Sequence, residues 1–208
     1  MEIVDLLKDN ISSTPQTLFN IGVGPRQHNE AQHFRELWPK INIIGLEPNV
    51  DTFLDIITDY PGKLYPWGVW SIPTIKKLKT VTKAPGKSSI LTPHKEWRGR
   101  WSYTAKECKI VPISCVTLDQ LDESMNFPKN IFLWMDIEGS ELEAINGGNS
   151  LLSSGRVKWI NIEISHHPRR VGEPDEETLA EILKQYGFSL KCKHSLGVAC
   201  HDSLYAIN

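Results

Sequence analysis

The run Ile131-Phe132-Leu133-Trp134-Met135 stops abruptly at Asp136-Ile137-Glu138-Gly139-Ser140-Glu141, so acids and a glycine stand where an apolar strand ends. A run apolar at every position reads as a strand buried on both faces, as in a parallel sheet covered by helices. Open sheets of that kind bind ligands beyond the carboxyl ends of their strands. Asp136 and Glu138 are therefore the first candidates for chemistry, because an acid ending a buried strand needs a partner or a task. Acids also suit the first turn of a following helix, an ordinary role open to Glu138, Glu141 and Glu143.

A second constellation lies upstream, in Asn20-Ile21-Gly22-Val23-Gly24. Glycines at a strand-to-helix turn let backbone approach a ligand, and the next helix offers free N–H groups. An acid about 20 residues on, closing the next strand, can accept both hydroxyls of a ribose. Glu47, followed by Pro48, stands at that place. A dinucleotide site favours a third glycine where this chain has Gln27. S-adenosylmethionine makes the same ribose contact without a pyrophosphate. Its methionine end would lie against Gly22-Val23-Gly24, its ribose on Glu47, and its adenine near Gly68, Val69 and Trp70. An NAD-linked oxidoreductase is disfavoured by the missing glycine and by the lack of an obvious hydride-transfer set.

These residues need a scaffold. Apolar runs predict strands at 16–21, 41–46, 131–135 and 157–164, with a weaker one at 63–69. Helical patterns cover 28–37, 51–58 and 176–186, and 141–152 with a break or close-packing site at Gly147-Gly148. Residues 110–117 suggest a short strand, 118–121 a helical turn, and 188–193 with 203–207 a closing strand pair. Residues 1–15 read as a leading helix (2–8) and linker. About 71–109 reads as an irregular insertion holding Pro73, Pro85, Gly86, Pro93 and Gly99. The expectation is one α/β domain over 1–208, Rossmann-like, mostly parallel with an antiparallel C-terminal edge hairpin and helices on both faces.

The 208 residues, 40% hydrophobic and 23% charged, suffice for a core without disulfide or metal staples. A net charge of -2 argues against a protein built mainly to neutralise phosphates, so nucleic acid is not an expected partner. No run reaches the roughly 18 apolar residues of a membrane span, and no signal-peptide pattern opens the chain, so a cytoplasmic location is expected. The four cysteines form no CxxC pair. Cys192, His194, Cys200 and His201 cluster near the C-terminus, but their spacing matches no familiar zinc finger.

The ordered blocks Asn20-Ile-Gly-Val-Gly24, Gly45-Leu-Glu-Pro-Asn49, Trp67-Gly-Val-Trp-Ser71, Ser88-Ser-Ile-Leu91, Val116-Thr-Leu-Asp119 and Trp134-Met-Asp-Ile-Glu-Gly-Ser-Glu-Leu142 resemble the FkbM family of S-adenosylmethionine-dependent methyltransferases. The match runs from about residue 16 onward, and the block at 136–141 is its most specific part. The resemblance implies a class I methyltransferase fold acting on hydroxyl groups, commonly of sugars, glycolipids or polyketides. It assigns Asn20, Gly22 and Gly24 to the methionine end, Glu47 to the ribose, and Asp136 and Glu138 to the reacting centre. Asn20 stands where many members have Asp, and Trp70-Ser71 where an acid is expected.

Methyl transfer to an alcohol needs the acceptor oxygen in line with the methyl and a destination for its proton. A general base could take it, with His166 or His167 the candidates. Alternatively, Asp136 and Glu163 at neighbouring strand ends could hold a divalent cation, Mg or Mn, that lowers the hydroxyl pKa, although Glu163 could instead alternate outward or pair with Arg169 or Arg170. Ser89, His94, Trp97, Arg98 and Trp101 would meet the acceptor, because aromatic faces stack on sugars and Arg or His bond hydroxyls. Trp97 and Trp101, four apart, would equally suit the buried face of a helix. The expected acceptor is a sugar hydroxyl of a glycan, glycolipid or nucleotide sugar. The alternatives are an RNA ribose, a lipid-like alcohol, or a non-catalytic cofactor-binding domain of a larger glycan-building enzyme.

Overall fold

The computed structural model describes residues 11, 13–82, 84–94 and 108–207, without the side chains of 26–29. The expected leading helix lies outside them. Strand β1 (Thr17–Ile21) leads through a glycine turn into helix α1 (Gly24–Leu37), which carries proline in its first turn, where no N–H is missed. Then come β2 (Asn42–Leu46), α2 (Val50–Ile56) and β3 (Lys63–Tyr65). Past the middle of the chain, α3 (Leu118–Met125) precedes β7 (Ile131–Met135), and the short helices α4 (Glu141–Asn146) and α5 (Asn149–Ser153) precede β8 (Val157–Ser165). Helix α6 (Glu176–Gln185) and the hairpin β9 (Phe188–Ser195) and β10 (Cys200–Ile207) follow.

These strands form one sheet in the order β3-β2-β1-β7-β8-β10-β9. The first five run parallel, and β10 is antiparallel to both neighbours. Alternation divides the side chains between two cores. Phe19, Ile21, Leu133, Met135, Ile160 and Ile162 pack with α3, α4 and α6 through Leu118, Ala144, Ile145, Leu179 and Leu183. Leu18, Ile43, Phe132, Trp134, Trp159 and Leu204 pack against α1 through Ala31 and Phe34. Trp134 and Trp159 thus belong to the core, with Phe132 and Phe34 meeting them edge to face.

The chain departs from expectation in the middle. Residues 63–69 are two strands, β3 in the large sheet and β4 (Gly68–Val69) in a second one, separated at Pro66. The region expected to be irregular contributes β5 (Thr74–Val81), and β6 (Cys108–Val116) extends the expected short strand. Together they make a three-stranded sheet, β4-β6-β5. Its inner face buries Leu78, Ile113 and Cys115 with Trp70, while Ile75, Lys77 and Lys79 face water. One solvated face filled with lysines hides the apolar alternation by which a strand is normally read. Gly147 and Gly148 break one expected helix into two, and a Cβ on Gly147 would overlap the Trp70 carbonyl oxygen. Among the described residues no helix is long and apolar enough to cross a membrane.

Candidate active site

A cleft open to solvent at its mouth runs along the carboxyl ends of β1, β2 and β7. Its floor is Ile21, Gly22, Val23 and Gly24, with Pro25 opening α1. Glu47 and Pro48 close one side, Trp67, Gly68, Val69 and Leu78 the next. Asp136, Ile137, Glu138 and Ser140 form the opposite wall, and Pro85, Gly86, Ser88, Ser89 and Ile90 cover part of it.

The glycine turn is strapped to β2: Gly22 and Val23 donate their N–H groups to the Leu46 carbonyl. Gly22 has φ +79°, and a Cβ there would overlap the Asp136 carbonyl oxygen, so glycine is required on both counts. Glu47 is buried; its Oε2 accepts from the Gly24 N–H and its Oε1 from the Asn49 N–H, both at 2.8 Å. Burial pushes its carboxyl up to about 7, although those two N–H groups pull the other way. Each carboxylate oxygen keeps a free lone pair for a ligand hydroxyl.

The wall opposite is built by its own acids. Glu141 is buried and accepts from the N–H groups of Ile137 and Gly139 at 3.1 and 3.3 Å, which ties the turn back on itself. Burial raises its carboxyl to about 7. Within that turn Glu138 adopts φ +54°, held by an ion pair with Arg170. The Glu138 carbonyl accepts from Ser89 Oγ at 2.9 Å, so the covering segment is fastened to the same residue. Asp136 is half-buried; burial, then Glu163, Glu138, Glu141 and Asp202, holds its carboxyl well above the usual carboxylate range. The strand register explains this: Asp202 pairs with Glu163, and Glu163 follows Ile162, the partner of Met135, so three carboxylates stand in a row across β7, β8 and β10. Ser140 lines the cleft, with its Oγ buried and without a hydrogen-bond partner among the described residues.

The cleft therefore gathers Gly22, Val23, Gly24, Glu47, Pro48, Gly68, Val69, Ser89, Asp136 and Glu138 from the sequence-derived set. Asn20 is elsewhere, buried under α1, where Tyr60 bonds its side chain. Trp70 is turned away under the small sheet, with the Lys76 ammonium 3.9 Å above its ring; Trp67 lines the cleft instead, stacked on Tyr65. His166 is exposed, with Nδ1 3.2 Å from the Val198 carbonyl and its ring beside His201. His94 is bound through its backbone to Arg169 and does not reach the cleft. Trp97, Arg98 and Trp101 lie outside the described residues. Glu163, expected to share a cation with Asp136, faces Arg169 at 3.8 Å, and no group of three or more His, Cys, Asp or Glu among the described residues is placed to hold a metal. The expected cation thus finds no support among the described residues. Trp67, Ser140 and Glu141 were not singled out from sequence for these roles, although all three lie in or beside the motif blocks.

The family model for the methyltransferase FkbM domain matches residues 16–190. The chain belongs to the FkbM methyltransferase family. No curated protein matches it. Among solved structures, the methyltransferase FkbM from Methylobacillus flagellatus KT is similar at TM-score 0.54 and 15% identity, over 91% of this chain and 44% of that one. The magnesium protoporphyrin IX methyltransferase ChlM from Synechocystis PCC 6803, solved with bound SAM, is similar at TM-score 0.51 and 10% identity, over 99% of this chain and 76% of that one. Both likenesses show the class I methyltransferase fold, and this FkbM domain spans less than half of the Methylobacillus protein.

Proposed function

We propose that this FkbM domain transfers a methyl group from S-adenosylmethionine to a hydroxyl of a sugar in a glycan, glycolipid or nucleotide sugar. The observation that carries the cofactor is Glu47: a buried carboxylate at the end of β2, 2.8 Å from the Gly24 N–H of the glycine turn, with lone pairs open to the cleft. When bound, S-adenosylmethionine supplies an activated methyl carried on a sulfonium.

The rest is the work of the chain. Glu47 would hold the ribose, the Gly22–Gly24 backbone would lie against the methionine end, and Trp67 with Val69 would flank the adenine. Asp136 is the group in the cleft suited to receive the acceptor proton, because its crowded, half-buried carboxyl binds protons readily. His166 lies off the cleft and is a weaker candidate for that role. The sugar rests on the family resemblance and on the polar acceptor-side wall of Ser88, Ser89 and Asp136.

Incubation with methyl-labelled S-adenosylmethionine and a panel of reducing sugars, glycolipids and nucleotide sugars tests this. Label in a base-stable product, lost in Asp136→Asn, supports the reading. Cofactor binding without transfer to any acceptor would leave a binding module in its place.

A further inference from the structure

Charge is distributed unevenly along this chain. Residues 71–118 hold ten Lys and Arg against two Glu, whereas the remaining residues hold 13 Lys and Arg against 23 Asp and Glu. The described part of that segment contains no acid at all. The described part carries Lys76, Lys77, Lys79, Lys87 and Lys109 and contributes β5 and β6 of the small sheet, so among the described residues this lobe is basic while the rest of the chain is acidic.

The outer face of that lobe has a particular composition. The register pairs Ile75 with Ser114, Lys77 with Pro112 and Lys79 with Ile110, and all six are exposed. Ile75 is 73% exposed and Ile110 69%. Ile110 and Pro112 lie two apart on β6, and Ile75 sits diagonally across from Pro112 on β5, with Lys77 and Lys79 alongside. Ile72, 61% exposed, adjoins its end. Aliphatic tips interspersed with ammonium groups complement a surface that is negative outside and apolar beneath.

We infer that this face docks on an anionic lipid bilayer. A second copy of the chain does not suit it, since two such faces would oppose lysine to lysine, and the described residues of this face include no acid to pair with them. A nucleic acid would use the lysines but leave three exposed isoleucines and a proline unpaired, and the described residues of this face offer no aromatic ring for a base. The acidic body repels the same bilayer and so orients the molecule. The lobe is also joined to the cleft: Leu78 on its inner face lines the cleft, and Lys79 and Ser89 exchange backbone hydrogen bonds at 3.0 and 3.1 Å. The inference does not depend on the methyl-transfer reading.

Sedimentation of the full chain with phosphatidylcholine vesicles, neutral or containing roughly one third phosphatidylglycerol, tests it. Binding to the anionic vesicles should exceed that to neutral ones about tenfold or more and fall as salt is raised. Lys77→Glu/Lys79→Glu should lose about tenfold, and Ile75→Ser/Ile110→Ser should weaken binding at unchanged net charge. Unaltered melting temperature and S-adenosylhomocysteine affinity in both variants would show that the fold and the cleft are intact. No binding to anionic vesicles at low salt would overturn the inference, as would binding indifferent to both double substitutions. Displacement by millimolar inorganic phosphate, or tighter binding to single-stranded oligouridylate than to vesicles, would overturn it in favour of a phosphate or RNA site.

Discussion

The backbone of Gly22 lies against the carbonyl oxygen of Asp136, closely enough that no side chain can stand between them. The end of β1 and the end of β7 are thereby locked together, and the cofactor-side turn and the acidic wall of the cleft behave as one unit.

Gly22 and Gly24 should therefore respond differently to the same change. Gly22→Ala combines a positive φ with overlap on the Asp136 backbone and should lower the melting temperature sharply. Gly24 also has positive φ, but a Cβ there meets nothing within 4 Å. Gly24→Ala should cost only about 1 kcal/mol, from backbone strain. Because Gly24 lines the cleft, its cost should fall mainly on cofactor affinity. Thermal melting beside a binding titration of each variant separates the two; equal loss of stability would contradict the geometry.

The Arg170–Glu138 pair is nearly buried, with side chains 9% and 12% exposed, and Glu173 also approaches Arg170. Removing one partner leaves a charge without compensation. Arg170→Gln should cost about 3–5 kcal/mol, and Arg170→Gln/Glu138→Gln should recover much of it. A urea denaturation cycle measures the coupling, and an additive result would mean that the pair does not hold the turn.

Stability should fall as pH rises across the acid range. Glu47 and Glu141 ionise near 7 in the fold against 4.5 when unfolded, and Asp136 is raised as well. Between those limits the folded state holds more protons than the unfolded chain, so its advantage is complete below about 4.5 and is lost as pH climbs to about 7. Melting temperature of the ligand-free protein from pH 5 to 8 checks the slope, which Glu47→Gln should flatten. Cofactor binding has the opposite dependence, since a ribose hydroxyl donates best to ionised Glu47. Affinity should drop below about pH 7, with proton release on binding visible as a buffer-dependent heat.

Trp67 should report occupancy of the cleft. Its ring stacks on Tyr65, centroids 4.9 Å apart, and lines the cleft next to Gly68 and Val69. Trp67→Ala should weaken nucleoside binding by roughly tenfold, about 1.4 kcal/mol, and remove most of the tryptophan fluorescence change on binding. Trp70→Phe should do neither.

The main sheet and the residues of the cleft were legible because buried parallel strands leave uninterrupted apolar runs, and ligand groups follow directly where those runs stop. Asp136 and Glu47 could be located that way. What escaped depends on partners distant in sequence. Trp67 and Trp70 stand three apart in one block, and only the packing of Trp70 beneath the small sheet decides which one meets the cleft. The lysine-rich β5 concealed a strand, because half of its pattern answers to water. Glu163 read equally as a cation ligand or as a partner of Arg169 or Arg170, and its 3.8 Å approach to Arg169 favours the pair; Asn20 turned toward Tyr60 and away from the turn it precedes.

Calorimetric titration of wild type and Glu47→Ala with S-adenosylhomocysteine at pH 8 tests the central claim most directly. Wild type should bind with a dissociation constant on the order of 1–10 μM, and the variant, still folded by its melting curve, should bind at least tenfold more weakly. Absence of binding to wild type, or equal binding by both, would contradict a cofactor site built on Glu47.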